Sequence, residues 1–414
     1  MGEKSIYRLI FFIFIVALFK NVLTVYPLYL DYKLRYIDDI AVLWLFLLIF
    51  KDAFFGKMKK SSMTIIFLTG LFLIIWIVQI LILKIDVLKY NYFFFIRDSF
   101  WYFPVFYFIY KCRDHDILKK YNALIFKFLK IQFIFVGMQI LYSLAADHKM
   151  LFMDLVNGSL EVNGSHKLAY ALLLTIPSIW KSKSRYFLFG ALFIIVLTSA
   201  RSAILYFAVT IAFYLILISR LSLAKKIVYF AAILGIFGGV YWFYTYRTGT
   251  TFRFNYLLNQ QKQVLKPGAG ARRLSFVMYT VELLKKNGLL WTGGGPGSYA
   301  SRSSEKMEGY LYKIYKDDFP YHNEYVAGGS SLNVWLGEMG IIGCGLFVLI
   351  YMYILLKVIK LNKIYVLGVM PYILGLSAQK LNEAYVPSIL FWLVLGIALN
   401  KDKRKPDQKL IIHG

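Results

Sequence analysis

The arginine of "LTSARSAILYFAV", Arg201, stands between two long apolar runs. A permanent cation costs roughly 2.5 to 3.5 kcal/mol at the centre of a bilayer, so its placement needs a physical reason. As a single helix, the runs from Tyr186 to Ile218 would extend about 50 Å, against a hydrocarbon core of about 30 Å. The chain must therefore turn near Arg201, which then opens a new helix. The first N–H groups of a helix lack internal partners, and its dipole there is equivalent to about half a positive charge. With Ser199 and Ser202, Arg201 and those N–H groups make a receptor for phosphate. An interfacial arginine that snorkels to lipid phosphates is the plainer reading of the same residues.

A similar geometry recurs in "GAGARRLSF", where Arg272 and Arg273 follow a glycine-rich turn and open a second helix. Alone, that pair reads as a solvated helix start, but two such starts on one face suit a bulky anionic ligand. "WTGGGPGSY", Trp291 to Tyr299, is first a tight turn, since no strand precedes it as a dinucleotide fold requires. In "DDFPYHNEY", His322 is a candidate proton carrier or donor to an oxyanion; a loop histidine without that role fits equally. Glu338 of "SSLNVWLGEMGIIG" lies within an apolar span, where an acid normally faces a cavity or a partner. Arg97 of "FFFIRDSFWYF" raises the same choice, and Asp98 or another neighbour would neutralise it. Asp38 with Asp39, and Asp317 with Asp318, are carboxylate pairs, but no His/Cys/carboxylate spacing defines a site and no metal is expected.

The elements that must position these residues are membrane helices. The chain has 414 residues, 59% hydrophobic and 19% aromatic, with a mean hydropathy of +0.60. That composition belongs to an integral membrane protein rather than a set of soluble domains. Apolar stretches of about 15 to 25 residues match helical spans and lack the alternation a membrane barrel needs. Twelve spans are expected, at about 8–29, 37–50, 62–83, 91–110, 122–144, 167–181, 185–199, 201–219, 226–245, 332–356, 363–379 and 385–399. The net charge of +26 falls mostly in alternate short loops such as "KCRDHDILKK", "KSKSR" and "KVIKLNK". It follows the positive-inside rule, with both termini cytoplasmic, and does not imply nucleic acid. Only Cys112 and Cys344 are present, so no disulfide framework or thiolate metal site is indicated. The apolar run after Lys4 and Arg8 has no small-residue cleavage site and reads as an uncleaved first span.

One connection is long. Between transmembrane parts at 1–245 and 332–414, residues 246–331 form a large outer loop, and a loop of that length is usually functional or disordered. "RRLSFVMYTVELL" places Leu274, Val277, Met278, Val281 and Leu284 on one helical face, so short helices are expected inside it. The doublet "NGSLEVNGS" reads as Asn-Gly turns rather than glycan acceptors.

This order of features resembles the O-antigen polymerases (Wzy) and O-antigen ligases, which are membrane glycosyltransferases. The resemblance covers most of the chain and is sharpest from about residue 195 to 343. The family's "TxSR" corresponds to "LTSARSA", and so to Arg201. Its "GR…GxGPG" loop helix corresponds to "ARRLSFVMYTVELLKKNGLLWTGGGPGSY". Counting back from Gly297 with two residues inserted, Arg273 falls on the family arginine, with Arg272 beside it. The closing pattern corresponds to "LGEMGIIG". The family histidine normally lies nine residues before the glutamate, where this chain has Gly329. His322 with Asn323 comes sixteen before Glu338, a departure that tilts the reading from ligase toward polymerase.

The resemblance implies an all-α, GT-C-like integral membrane protein of about twelve transmembrane helices with one large periplasmic loop, in the bacterial inner membrane. It implies a donor glycan on undecaprenyl pyrophosphate, gripped by Arg201 and Arg273 with Arg272, and an acceptor repeat unit on a second lipid. His322 or Glu338 would take the acceptor proton. Asn323, Arg97 and the tyrosines Tyr299, Tyr310, Tyr312 and Tyr321 would contact sugar. No cofactor is implied, since pyrophosphate is already a good leaving group. The implied partners are the lipid-linked donor and acceptor, membrane lipids, a chain-length regulator and a flippase. A ligase differs only in its acceptor. A flippase or secondary transporter would instead show internal pseudo-symmetry and short loops, and no half-to-half repeat is present.

Overall fold

The computed structural model describes residues 2–19, 37–55, 64, 70–71, 74–75, 77–82, 97, 99–146, 156, 158–160, 164–198, 200–219, 221–248, 273–301, 304, 309–318 and 330–400. Among the described residues the fold is helical throughout, with no strand. In order come α1 (Glu3–Phe19), α2 (Ile37–Phe54), a π-turn (Val78–Ile82), α3 (Phe103–Lys111), α4 (His115–Ala146), α5 (Ser165–Lys181) and α6 (Arg185–Leu197). Next come α7 (Arg201–Phe213, extended by a π-turn at Tyr214–Ile218), α8 (Leu223–Thr248), α9 (Arg273–Lys286), α10 (Tyr310–Asp318), α11 (Ser331–Leu361), α12 (Val366–Gly375) and α13 (Tyr385–Leu399). The spans expected at about 62–83 and 91–110 lie partly outside the described residues.

Two of these helices, over His115–Tyr142 and Ser331–Leu361, are long and apolar enough to cross a membrane. The exterior agrees with an apolar solvent. Trp44, Phe50, Leu141, Phe193, Leu217 and Leu356 are all exposed, while Asp38, Gln79, Thr198 and Glu338 are buried. A protein in water arranges these classes the other way.

The core is built around α13, which is buried at every residue from Val386 to Leu399. It packs against α3, itself buried from Phe103 to Tyr110. Trp392 meets Phe103 edge-on at 5.7 Å, an arrangement aromatic quadrupoles favour. α5 and α12 pack beside this pair, and α7 lies against α12.

The bundle has two distinct ends. At one, Tyr170 of α5 donates to Ser202 of α7 at 3.2 Å, and Tyr206 of α7 meets Ser377 at 3.1 Å. At the other, Lys181 reaches Asn362 at 3.1 Å and Glu3 accepts the N–H groups of Arg113 and Asp114. Here Asn400 donates to the carbonyls of Ile109 at 2.7 Å and Cys112 at 2.9 Å. It closes the C-terminus of α3, where the Cys112 N–H also reaches the carbonyls of Phe108 and Ile109.

Replacing Asn400 with alanine is expected to remove the Asn400 bonds to the Ile109 and Cys112 carbonyls at a cost of about 1–3 kcal/mol. A lower thermal unfolding midpoint in detergent, relative to the unsubstituted protein, is the measurement that checks it. An unchanged midpoint would show that α3 ends without this cap.

Candidate active site at a broken helix

α11 begins with Ser330 as its N-cap, whose hydroxyl accepts the Asn333 N–H at 3.2 Å. Two turns later the helix breaks at Gly340, where φ is 64° and ψ is −168°. A break strips backbone groups of their helical partners, and in an apolar surrounding each must be satisfied elsewhere. The glycine turn that follows α9 does this. Gly294 and Gly295 donate to the carbonyls of Gly337 and Glu338 at 2.9 and 2.8 Å. Ile341 and Ile342 in turn donate to Leu290 and Trp291 at 3.0 and 3.1 Å. Gln79, on the π-turn and fully buried, donates to the carbonyls of Glu338 (3.0 Å) and Thr292.

This pairing requires bare backbone on both sides. Gly293, at φ 73°, and Gly340 face each other so closely that a Cβ on either would fall inside the other strand's backbone. The sequence "TGGGPG" against "GEMG" is therefore a steric match as well as a turn signal.

The Glu338 side chain completes the junction. It is fully buried; one oxygen accepts the Gly297 N–H at 2.8 Å and the other the Ser301 N–H at 3.2 Å. The sequence reading offered Glu338 as a proton acceptor for substrate. In the structure both of its oxygens are engaged by backbone N–H groups of the turn. Tyr299, expected to stack on sugar, is likewise fully buried. Its ring packs over Gly337, where no Cβ could fit, and its hydroxyl meets Thr280 at 2.7 Å. Burial pushes that hydroxyl up to about 12, with hydrogen bonding to Thr280 and Asn333 pulling the other way. Thr280 also donates to Asn333 at 2.7 Å, which fixes the face that α9 turns inward. That face carries Thr280, Leu283 and Leu284, while Met278, expected on it, is exposed.

Arg97 is buried and paired with Asp39 in the first turn of α2, at 3.0 Å. It also reaches the Tyr385 hydroxyl at 3.5 Å, and Tyr102 donates to the adjacent Asp38 at 3.2 Å. Asp38 and Asp39 suit that position, because carboxylates are favoured at a helix N-terminus. The sequence reading left Arg97 to a neighbour or to substrate; here it meets a neighbour, Asp39. Asp98 lies outside the described residues.

Of the three arginines singled out as phosphate ligands, Arg201 opens α7 after Ala200, which offers no side-chain cap, and Arg273 is the first described residue of α9. The two helices join one polar network, α7 through Ser202 and Tyr206, and α9 through Thr280. The link between them is the segment 376–384. Gln379 accepts from the Ser331 N–H and hydroxyl, Asn382 accepts from that hydroxyl, and Lys380 donates to the Ala300 carbonyl at 2.6 Å. In the sequence this segment read only as a short connection; its density of Gln, Lys, Asn and Glu between two apolar spans was the available signal. Ser199, Arg272, Tyr321, His322 and Asn323 lie outside the described residues. Tyr310 is partly exposed on α10, and Tyr312 is buried beside it.

No curated protein matches the chain. A family model described as O-antigen ligase matches residues 186–348. Arg201, Arg273, the glycine turn, the Gly340 break and Glu338 all lie inside that match, which gives this segment of the chain its similarity to the O-antigen ligase family.

Proposed function

We propose that the protein polymerises undecaprenyl-pyrophosphate-linked repeat units into a surface polysaccharide, by inverting glycosyl transfer on the periplasmic face of a bacterial inner membrane. What supports this reading is the joining of α7, which Arg201 opens, and α9, which carries Arg273, both inside the family match, to one locked turn at one end of the bundle. In this mechanism Arg201 and Arg273, with Arg272, bind the donor's pyrophosphate. They orient it and stabilise the charge that grows as the anomeric C–O bond breaks. The acceptor is a sugar hydroxyl of a second lipid-linked unit. Its oxygen attacks the anomeric carbon from the opposite face, and the pyrophosphate leaves with the bonding electrons. The hydroxyl proton passes to His322, the base in this scheme. Glu338 holds the turn that sets the distance between these groups. A chain-length regulator and a flippase are its working partners, and both termini are cytoplasmic.

The description of the matching family model favours one second reading, a ligase that passes the finished glycan to a different acceptor. Purified protein supplied with one defined lipid-linked repeat unit separates the two. A ladder of products supports the polymerase. Single transfer, seen only when a foreign acceptor is added, supports the ligase, and no new glycosidic bond would overturn both.

Arg201→Ala and Arg273→Ala are each expected to lower elongation by about 10²–10³-fold with unchanged protein level, read as loss of the glycan ladder. Full ladders from both variants would remove the pyrophosphate grip. His322→Ala is expected to lower the rate by about 10²–10⁴-fold; normal polymerisation by that variant would place the base elsewhere. Glu338→Gln leaves one turn N–H facing an amide NH₂, at a cost of about 1–3 kcal/mol. It should lower both the unfolding midpoint and the rate while the shape of the pH–rate profile is kept. Loss of a limb of that profile would make Glu338 the base instead.

A further inference from the structure

The hairpin between α5 and α6 encloses a cleft of about 630 Å³ at the end of the bundle away from the glycine turn. Its lining divides cleanly by chemistry. Ile179, Trp180, Leu188 and Phe189 supply apolar walls, and Lys183 and Ser184 supply the polar rim. Trp180 is 58% and Phe189 69% exposed, so the walls are open along the sides of the helices. No lining residue is acidic, and the hairpin sequence "KSKSR" itself contains no acidic residue.

Lys183 is also the described non-glycine residue with positive φ, at 56°. That conformation costs an L-residue roughly 1–2 kcal/mol and is usually left to glycine or asparagine. The turn therefore holds a cation where glycine would be more stable. Its neighbour Lys181 is occupied in the fold, lying 4.8 Å over the Tyr365 ring and bonded to Asn362. Lys183 is exposed at the rim.

We infer that this cleft is a binding site for an anionic phospholipid of the leaflet at the hairpin end, with the phosphate on Lys183 and Ser184 and an acyl chain along Leu188 and Phe189. Charge complementarity selects the headgroup, since basic pockets between membrane helices bind anionic lipid heads and each cation near the surface is worth about 1 kcal/mol. Tryptophan at the rim suits the membrane–water boundary, where its ring has one apolar and one wet side. The site is separate from the glycosyl-transfer site and does not depend on that function.

The test uses purified full-length protein in mixed micelles with phosphatidylglycerol or phosphatidylcholine carrying the same brominated chains. Bromine quenches a nearby indole, and Trp180 is isolated as the difference between the wild type and Trp180→Phe. Phosphatidylglycerol is expected to reach half-quenching at about fivefold lower concentration than phosphatidylcholine. Lys183→Gly suits the turn's backbone, so its unfolding midpoint should not fall, yet the two lipids should then quench alike. Equal midpoints in the wild type, an unchanged preference in Lys183→Gly, or no Trp180 quenching would overturn the site. Reversal of the quenching by millimolar inorganic phosphate would assign it to free phosphate rather than to lipid.

Discussion

A carboxylate with no access to water, and with both its oxygens taken by backbone N–H groups of one loop, is the constraint around which the rest of the structure is arranged. Glu338 binds Gly297 and Ser301 at the place where α11 breaks. A helix can break within an apolar bundle only if another backbone segment takes up the released groups. The glycine turn is that segment, and it reaches the break only because neither side carries a Cβ there. The two features are thus mutually dependent. Without the turn the break would expose unpaired carbonyls, and without the break the turn would have no edge to pair with. The stack of Trp335 on Phe347 at 3.6 Å spans the same break and keeps the two halves of α11 in contact.

Around this junction, polar groups gather at one end of a bundle whose sides are apolar. A buried ion pair is weak evidence for stability, because desolvation offsets much of its attraction. Arg97 and Asp39 are better understood as fixing register. The pair and Tyr385 tie the start of α13 to the start of α2. Segment 376–384 then ties α7, α11 and the 299–301 turn together. α7 and α9 consequently sit in a frame held at several points.

Much of this frame was legible in the sequence where the signal was local. The length of the apolar run from Tyr186 to Ile218 required a turn near Arg201, and the structure ends α6 at Leu197 and starts α7 at Arg201. Lysine-rich loops and apolar lengths located α5, α11 and α13 in the same way. What escaped was set by partners far along the chain. "GEMGIIG" read as span interior, because nothing in it announces that Gly340 faces Gly293. Gln79 carries no local signal of its part, since its partner, the Glu338 carbonyl, lies 259 positions away. The inward face of α9 was misassigned at Met278, since periodicity ranks a methionine above a threonine while the hydroxyls of Thr280 and Tyr299 bond to each other. Tyr299 is buried in the same contact.

The choice of glutamate at position 338 follows from what the turn presents. Its N–H groups at 297 and 301 converge on one point from two directions, a concavity that favours an anion. A carboxylate can accept from both at once through separate oxygens. An amide must turn one end, a donor, toward one of them, and an apolar residue would leave both unmet. A carboxyl group thus meets the turn on both sides through its two oxygens. Its rigidity passes outward through Ser298, whose carbonyl accepts the Tyr312 N–H at 2.8 Å, and through Ala300 to Lys380. α9 and α10 are joined to α11 through this turn, so the Glu338 carboxyl helps to set where the helix that carries Arg273 can stand.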